Sequence, residues 1–141
     1  MAVYDQTPRS IITDITTTLQ DNHGTTFEDI VVGPFQINEL DFPCAHVIPD
    51  TSLYQGRSEY QTNIDVNFYF ERDSKDYSFL SNLDAVDATK NDIMIKLDVN
   101  PKVANPLISN EEYFVGEVGQ KLLNVITFTV QASWLVDFAD V

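Results

Sequence analysis

The clearest hydrophobic pattern in the chain is a strict alternation of mainly apolar and mainly polar residues over positions 60–71. A period of two predicts a strand of an antiparallel sheet with one buried face and one solvent-facing side. A second alternation predicts a long closing strand from Leu122 to Val136. The residues expected on the buried faces of these two strands are Tyr60, Thr62, Ile64, Val66, Phe68, Phe70, Ile126, Phe128, Val130, Ala132, Trp134 and Val136.

Two other segments carry apolar residues at helical spacing. Thr7 is a suitable N-cap and Pro8 suits the first helical position, so a helix is predicted from there to Gly24. A second helix is predicted over 76–97. The positions expected to face the core are Ile11, Ile12, Ile15 and Leu19 in the first helix and Phe79, Leu83, Val86, Ile93 and Leu97 in the second.

Shorter strands are predicted at Thr25–Val32, which Gly33-Pro34 ends, and at Glu112–Val118, which residues 119–121 follow as a turn of hairpin length. With no repeat, linker or low-complexity tract in between, this order predicts a single α+β domain over residues 1–141. We expect a mixed, largely antiparallel sheet of four to five strands with two helices packed on one face.

Residues 34–58 are harder to assign because three prolines interrupt them. Proline is rare in central strands, so we expect only a short edge strand, Ala45–Ile48, and an exposed loop over Asp50–Gly56. A long irregular segment with apolar side chains is a common partner interface, although it can also fold back and cap the end of a sheet. The candidate interface residues are Phe42, Leu53, Tyr54 and Arg57 on this segment and Tyr69 on the next strand.

The two long strands suggest self-assembly. At ~3.3 Å per residue, Glu59–Glu71 spans about 43 Å and the final strand about 50 Å. A compact chain of this size has a diameter of about 37 Å. Either bulges shorten the strands within a monomer, or their ends project and pair with other copies. We expect assembly.

The charge balance excludes some classes of partner. Eight Lys and Arg stand against 22 Asp and Glu, which gives a net charge of −14 and argues against binding to nucleic acid or anionic lipid. The acidic residues are mostly Asp and Lys is scarce, which suits either an ordinary acidic surface or a protein that works in concentrated salt. We expect no membrane span and no signal peptide, because neither apolar run is present.

Enzyme chemistry has no positive support in the sequence. Cys44 and His46 lie two residues apart and could pair as a nucleophile, but a buried cysteine acting as a small hydrophobic residue is far commoner. The acidic pairs Asp84/Asp87 and Glu111/Glu112 are more simply solvated surface. We therefore expect no catalytic, cofactor-binding or metal-binding residues.

The layout resembles the tail terminator and related tail-completion, or head–tail joining, proteins of long-tailed viruses. The resemblance rests on an N-terminal helix, a strand ending near Gly33-Pro34, the segment Phe-Pro-Cys-Ala-His-Val-Ile-Pro (42–49) and the long alternating strand. A helix that begins Phe-Leu-Ser-Asn-Leu (79–83) and ends Ile-Met-Ile-Lys-Leu (93–97), with a closing hairpin, completes it. The Asp-rich composition would suit a virus of a halophilic archaeon.

That resemblance implies a virion structural protein, assembled in the host cytoplasm and located at the head–tail junction. It implies a ring of copies, typically a hexamer, that ends tail-tube polymerisation and meets the tail-tube protein and the head connector or neck protein. DNA would pass through an acidic lumen without specific binding. Another neck or tail-tube subunit remains an alternative, as does a monomeric acidic binding module.

Overall fold

The computed structural model describes residues 8–34, 40–56, 59–72, 79–100 and 103–135. Within them, two helices cover one face of a five-stranded open sheet, so the predicted α+β architecture is confirmed. The elements are α1 (Pro8–His23), β1 (Asp29–Val32), β2 (Cys44–Gly56), β3 (Glu59–Arg72), α2 (Phe79–Asp98), β4 (Val103–Val118) and β5 (Lys121–Leu135).

The sheet is mixed and has the strand order β1-β2-β3-β5-β4. β1 pairs parallel with β2, and the other three pairings are antiparallel. β4 and β5 form a hairpin around Gly119–Gln120, where Gly119 has a φ of 62°. Gln120 does not have a positive φ. A positive φ at the first but not the second residue of a two-residue loop is the mark of a type II′ turn, which favours glycine at the first position.

Three predicted strand boundaries are wrong. Asp50–Gly56, expected to be a loop, belongs to β2, which continues past Pro49 through a bulge. β4 begins at Val103 instead of Glu112, because two bulges let it continue through Pro106. β1 begins only at Asp29, because the preceding residues form the turn that leaves α1.

The main core lies between the helices and the sheet, as the alternation predicted. Phe68 of β3 is fully buried at its centre, and its ring centroid lies 5.4 Å from that of Phe27 and 5.5 Å from that of Phe128. Gly24 follows α1 closely enough that a Cβ there would lie 2.5 Å from the carbonyl oxygen of Gln20. The helical residues in this core are Ile11, Ile15, Leu19, Val86, Ile93 and Leu97.

A second, smaller core lies on the opposite face at one end of the sheet. It consists of the buried residues Leu40, Cys44, Tyr69, Leu123 and Val125, with Val31, Phe42 and Val118 packed against it. The segment that enters β2 covers this end of the face that the helices leave open. The alternative in which residues of the 34–58 segment cap the end of the sheet is therefore confirmed for Phe42.

The strands have the expected lengths, but the expectation that the ends of β3 and β5 project unpaired is wrong. Every residue of β3 from Glu59 to Arg72 pairs with β5, and β2 pairs with β3 from Cys44 to Gly56. Their neighbours are equally long, so the two central strands complete each other within one chain. Among the long strands of the described part of the chain, the unpaired backbone lies instead on β4 and on the second half of β2.

Candidate subunit interface

β4 is the long outer strand of the sheet, and its outer side has no strand beyond it among the described residues. Its 16 residues make it far longer than the usual five or six of a strand. Edge strands expose unpaired N–H and C=O groups that another chain can pair with. β4 is thus the most extensive free hydrogen-bonding edge in the described part of the chain.

Two bulges divide β4. Asn105 and Asn110 have φ angles of 51° and 54°, and at each of them two residues of β4 lie opposite one residue of β5. Asparagine tolerates this left-handed conformation better than most residues. Bulges twist an edge and weaken it as a template. The regular part of the edge is therefore Glu112–Val118, which pairs with β5 without interruption.

Three consecutive apolar residues lie on this regular part. Tyr113, Phe114 and Val115 are 48%, 51% and 56% exposed. Because side chains alternate along a strand, Tyr113 and Val115 lie on the helical face and Phe114 lies on the opposite face. Apolar side chains therefore flank the free backbone edge on both faces of the sheet. We call Glu112–Val118 the β4 edge.

α2 holds the β4 edge in place through a polar network. Lys90 Nζ lies 2.6 Å from Glu111 Oε1 and 3.0 Å from Asp87 Oδ1, and the Tyr113 hydroxyl donates to Glu111. The ring of Tyr113 also meets Phe79 edge to face, with 6.0 Å between centroids. The helix therefore orients the first residue of the apolar triplet.

The same contacts change the acid–base behaviour of the network. The hydrogen bond to Glu111 raises the pKa of Tyr113. Burial would lower the pKa of Lys90, but its hydrogen bonds to Glu111 and Asp87 outweigh that effect and raise it. Lys90 therefore carries its charge throughout the neutral range, and Glu111 is a bridging group instead of the simple solvated surface that was expected.

A second free edge lies on the other side of the sheet. β1 pairs only with Cys44–Val47, so Ile48–Gly56 has no strand on that side in the described ranges. We call this segment the β2 edge. Two bulges bracket its regular part, Thr51–Tyr54. Proline occurs in sheets mainly at edges and bulges, and Pro49 lies at both.

The predicted interface residues do not form one surface. Phe42 is half-buried against the second core, and Lys121 Nζ lies 5.8 Å from its ring centroid. Leu53 and Tyr54 pair with β3 at the far end of β2, about 30 Å from Cys44 at ~3.3 Å per residue.

Of the remaining two candidates, the structure places only Tyr69. Tyr69 is buried in the second core, so the expectation that it is an accessible contact residue is wrong for the single subunit. Its position on β3 turns its ring toward the apolar cluster that the sequence pattern did not reveal. Arg57 lies outside the described residues.

Cys44 and His46 share one face of β2, as their spacing predicted. Cys44 is fully buried, and burial, followed by the nearby Asp29 carboxylate, raises its pKa to about 12. Nε2 of His46 hydrogen-bonds the carbonyl oxygen of Gly33, which ties β2 to the end of β1. A thiol that stays protonated at neutral pH is a poor nucleophile, so the prediction that Cys44 packs as a small hydrophobic residue is confirmed.

The other candidate groups also lie apart. Asp84 and Asp87 are exposed on α2, as predicted. Asp65 accepts a hydrogen bond from Thr129 across the open face of the sheet. Across the described ranges, no three His, Cys, Asp or Glu side chains lie together in a way that could hold a metal ion. In the same ranges, no helix is long and apolar enough to cross a membrane.

Sequence reasoning missed the apolar triplet on the β4 edge, although a signal was present. Three successive apolar residues in a strand cannot all face one core, because alternate side chains point to opposite faces. What the sequence does not show is that β4 lies at the edge, since the order of strands in a sheet depends on tertiary packing.

The comparisons with known proteins add no relative. No protein-family model matches the chain, and no curated protein sequence matches it. The geometry of the two edges and the charge of the molecule are therefore the features that bear on its function.

Proposed function

We propose that this chain is a virion structural protein of the tail terminator kind. Its copies associate through their sheet edges into a ring at the head-proximal end of a viral tail. The ring ends growth of the tail tube and joins the tail to the head connector. The observation that carries the proposal is the β4 edge, where an unpaired backbone and three half-exposed apolar side chains coincide.

Burial of this triplet provides a contact of intermediate strength. Half-exposed Tyr113, Phe114 and Val115 offer about 300 Å² of apolar surface, and burying it contributes on the order of 7 kcal/mol before any cost. Association itself costs ~4–15 kcal/mol. A single edge contact is therefore weak alone. It becomes stable when backbone hydrogen bonds are added and when a closed ring gives every copy two contacts.

Charge opposes this association, and salt relieves the opposition. Each copy carries a net charge of −14, so copies repel one another at low ionic strength. The Debye length falls from about 10 Å at 0.1 M salt to ~3 Å at 1 M. We expect the ring to form more readily as salt rises, in contrast to assemblies held by ion pairs.

Sedimentation velocity across a series from 0.1 to 3 M NaCl tests the proposal. We expect the 16.0 kDa chain to change from monomer at low salt to one discrete ring species at high salt. A monomer at every concentration and ionic strength would contradict it. Long polymers in electron micrographs would indicate a tail-tube subunit instead of a terminator.

A pair of variants shows whether the β4 edge is responsible. Val115→Glu is expected to lower the ring fraction at least tenfold at a given concentration and salt. Ile95→Glu introduces the same charge at an apolar residue of α2 that is equally exposed, at 55%, and is expected to leave assembly close to wild type. Equal loss in both variants would point to general repulsion and away from the β4 edge.

A further inference from the structure

We propose that the partner of the β4 edge is the β2 edge of the next copy, so that the contact is head-to-tail. This inference rests on the proposed self-assembly, and it names the surface that each of two neighbouring copies contributes to their contact. A head-to-tail contact uses two different surfaces and can close into a ring, whereas a two-fold contact between identical edges stops at a dimer.

The chain directions are compatible with this pairing. β2 and β3, β3 and β5, and β5 and β4 are all antiparallel pairs, so β4 runs opposite to β2 within one subunit. A second copy placed beyond β4 in the same orientation brings its own β2 alongside in the antiparallel sense. Phe114 lies level with Cys44 across the sheet, through Val125 and Tyr69. The second copy must therefore also be shifted along the strands by roughly eight residues, about 27 Å, for the β4 edge to meet the β2 edge near Ser52. The sheet then continues from copy to copy with all helices on the same side.

The lengths of the two edges also match. The β4 edge has seven regular residues, Glu112–Val118, and the β2 edge offers nine, Ile48–Gly56. In the copy that contributes the β2 edge, β1 already pairs with β2 as far as Val47, so the contact with the next copy cannot extend beyond Ile48 at that end. We expect the register to centre on Thr51–Tyr54, where the β2 edge is regular.

Charge disfavours two of the registers in which two copies of the β4 edge could pair with each other. In a two-fold antiparallel pair centred on Phe114, Glu111 lies opposite Glu117. Shifting the centre to the Phe114–Val115 bond places Glu112 opposite Glu117. Like charges directly opposite each other destabilise a strand pair. The β2 edge carries one charged residue, Asp50, among nine, so it receives the acidic β4 edge with less repulsion.

Proline scanning can block each edge separately. N–H groups point alternately to the two sides of a strand, so of two adjacent prolines one removes an outward donor and the other a donor bonded within the subunit. Phe114→Pro and Val115→Pro form such a pair on β4, and Leu53→Pro and Tyr54→Pro form one on β2. In each pair, the variant whose circular dichroism and thermal midpoint stay closest to wild type is the edge-blocked variant.

Mixing the two edge-blocked variants is the decisive experiment. Each is expected to be monomeric alone at a salt concentration at which the wild type forms rings. Because one edge contact is weaker than the two of a ring, the equimolar mixture is measured at rising protein concentration. There it is expected to form a 1:1 dimer, in which the intact β4 edge of one meets the intact β2 edge of the other, whereas each variant alone stays monomeric at the same concentration. The dimer stops there, since its remaining edges are blocked.

The other outcomes distinguish the possible failures. If the β2-blocked variant still associates alone while the β4-blocked one does not, the contact is β4 with β4 and the head-to-tail inference is wrong. If both variants still form rings, neither edge carries the contact and the head-to-tail inference is wrong, while ring formation itself stands through another surface. If the wild type is monomeric under all conditions, the proposed function itself fails.

Discussion

The second core makes a sharp prediction, because two adjacent leucines of β5 lie in opposite environments. Leu123 is 1% exposed and belongs to the second core, whereas Leu122 points to the other face and is 43% exposed. Leu123→Ala removes three buried carbon atoms and leaves a cavity, and Leu122→Ala removes the same atoms from a half-solvated position. The chemistry of the two substitutions is identical, so any difference between them reports burial.

The magnitude follows from the size of the cluster. Leu→Ala in a large core costs ~2.7–5 kcal/mol. The second core has five buried members with a half-buried rim, so it can relax partly, and we expect a loss of about 2.5 kcal/mol for Leu123→Ala. An unfolding entropy of ~2.1 cal/mol/K per residue converts this loss to a fall of about 8 °C in Tm for a chain of this length. For Leu122→Ala we expect less than about 1 kcal/mol.

Urea unfolding at low salt, where the chain is expected to be monomeric, provides the measurement. Far-ultraviolet circular dichroism follows the transition, and equal m-values for the two variants would show that the unfolded states are comparable. Equal losses for Leu122→Ala and Leu123→Ala would refute the second core. A loss below 1 kcal/mol for Leu123→Ala would mean that the open face is solvated at this end.

Two further predictions concern Cys44 and Lys90. The Cys44 thiol should react with Ellman's reagent at pH 8 only as the chain unfolds. Because its pKa is about 12 in the folded chain against a reference value of 9.0, the free energy of unfolding should fall as the pH rises from 9 to 12. Cys44→Ala should remove that part of the pH dependence. Rapid labelling of the folded protein would contradict this. Lys90→Met should lower the free energy of unfolding by about 1–2 kcal/mol, because it leaves the part-buried Glu111 carboxylate without its cation. Lys96→Met, on an exposed part of the same helix, should change the free energy of unfolding by less than about 0.5 kcal/mol in urea titrations.

The main fold could be predicted from the sequence because its signals are local. Alternation over 64–70 and 126–132 and helical spacing at Ile11, Ile15 and Leu19 correctly indicate which residues face the main core. A side chain's face depends only on the period of its own element. Two helices and an amphipathic sheet then leave few ways to bury the apolar faces.

The second core could not be predicted in the same way, because it depends on a distant segment. From Ile126 to Ala132 the even-numbered residues of β5 are buried, but Leu123 and Val125 are odd-numbered and equally buried. Their burial requires Leu40 and Phe42 to cross over that face. Four of the five residues at 122–126 are apolar, and a nearly continuous apolar run is typical of a strand that is covered on both faces.

The length of a strand is evidence for assembly only when the lengths of its neighbours are known. β3 and β5 are longer than the diameter of a small globular chain, yet they pair with each other residue for residue. The backbone groups that remain unpaired are therefore those of the strands outside them. β4 is as long as β5 but has a partner on one side only, and β1 covers less than half of β2. The sheet therefore has an unpaired edge on β4 and another on part of β2, and these two strands run in opposite directions. Another copy can add an antiparallel strand at each of these edges, which is the geometry that a repeating assembly requires. The apolar triplet on β4 provides attraction that the acidic surface elsewhere lacks.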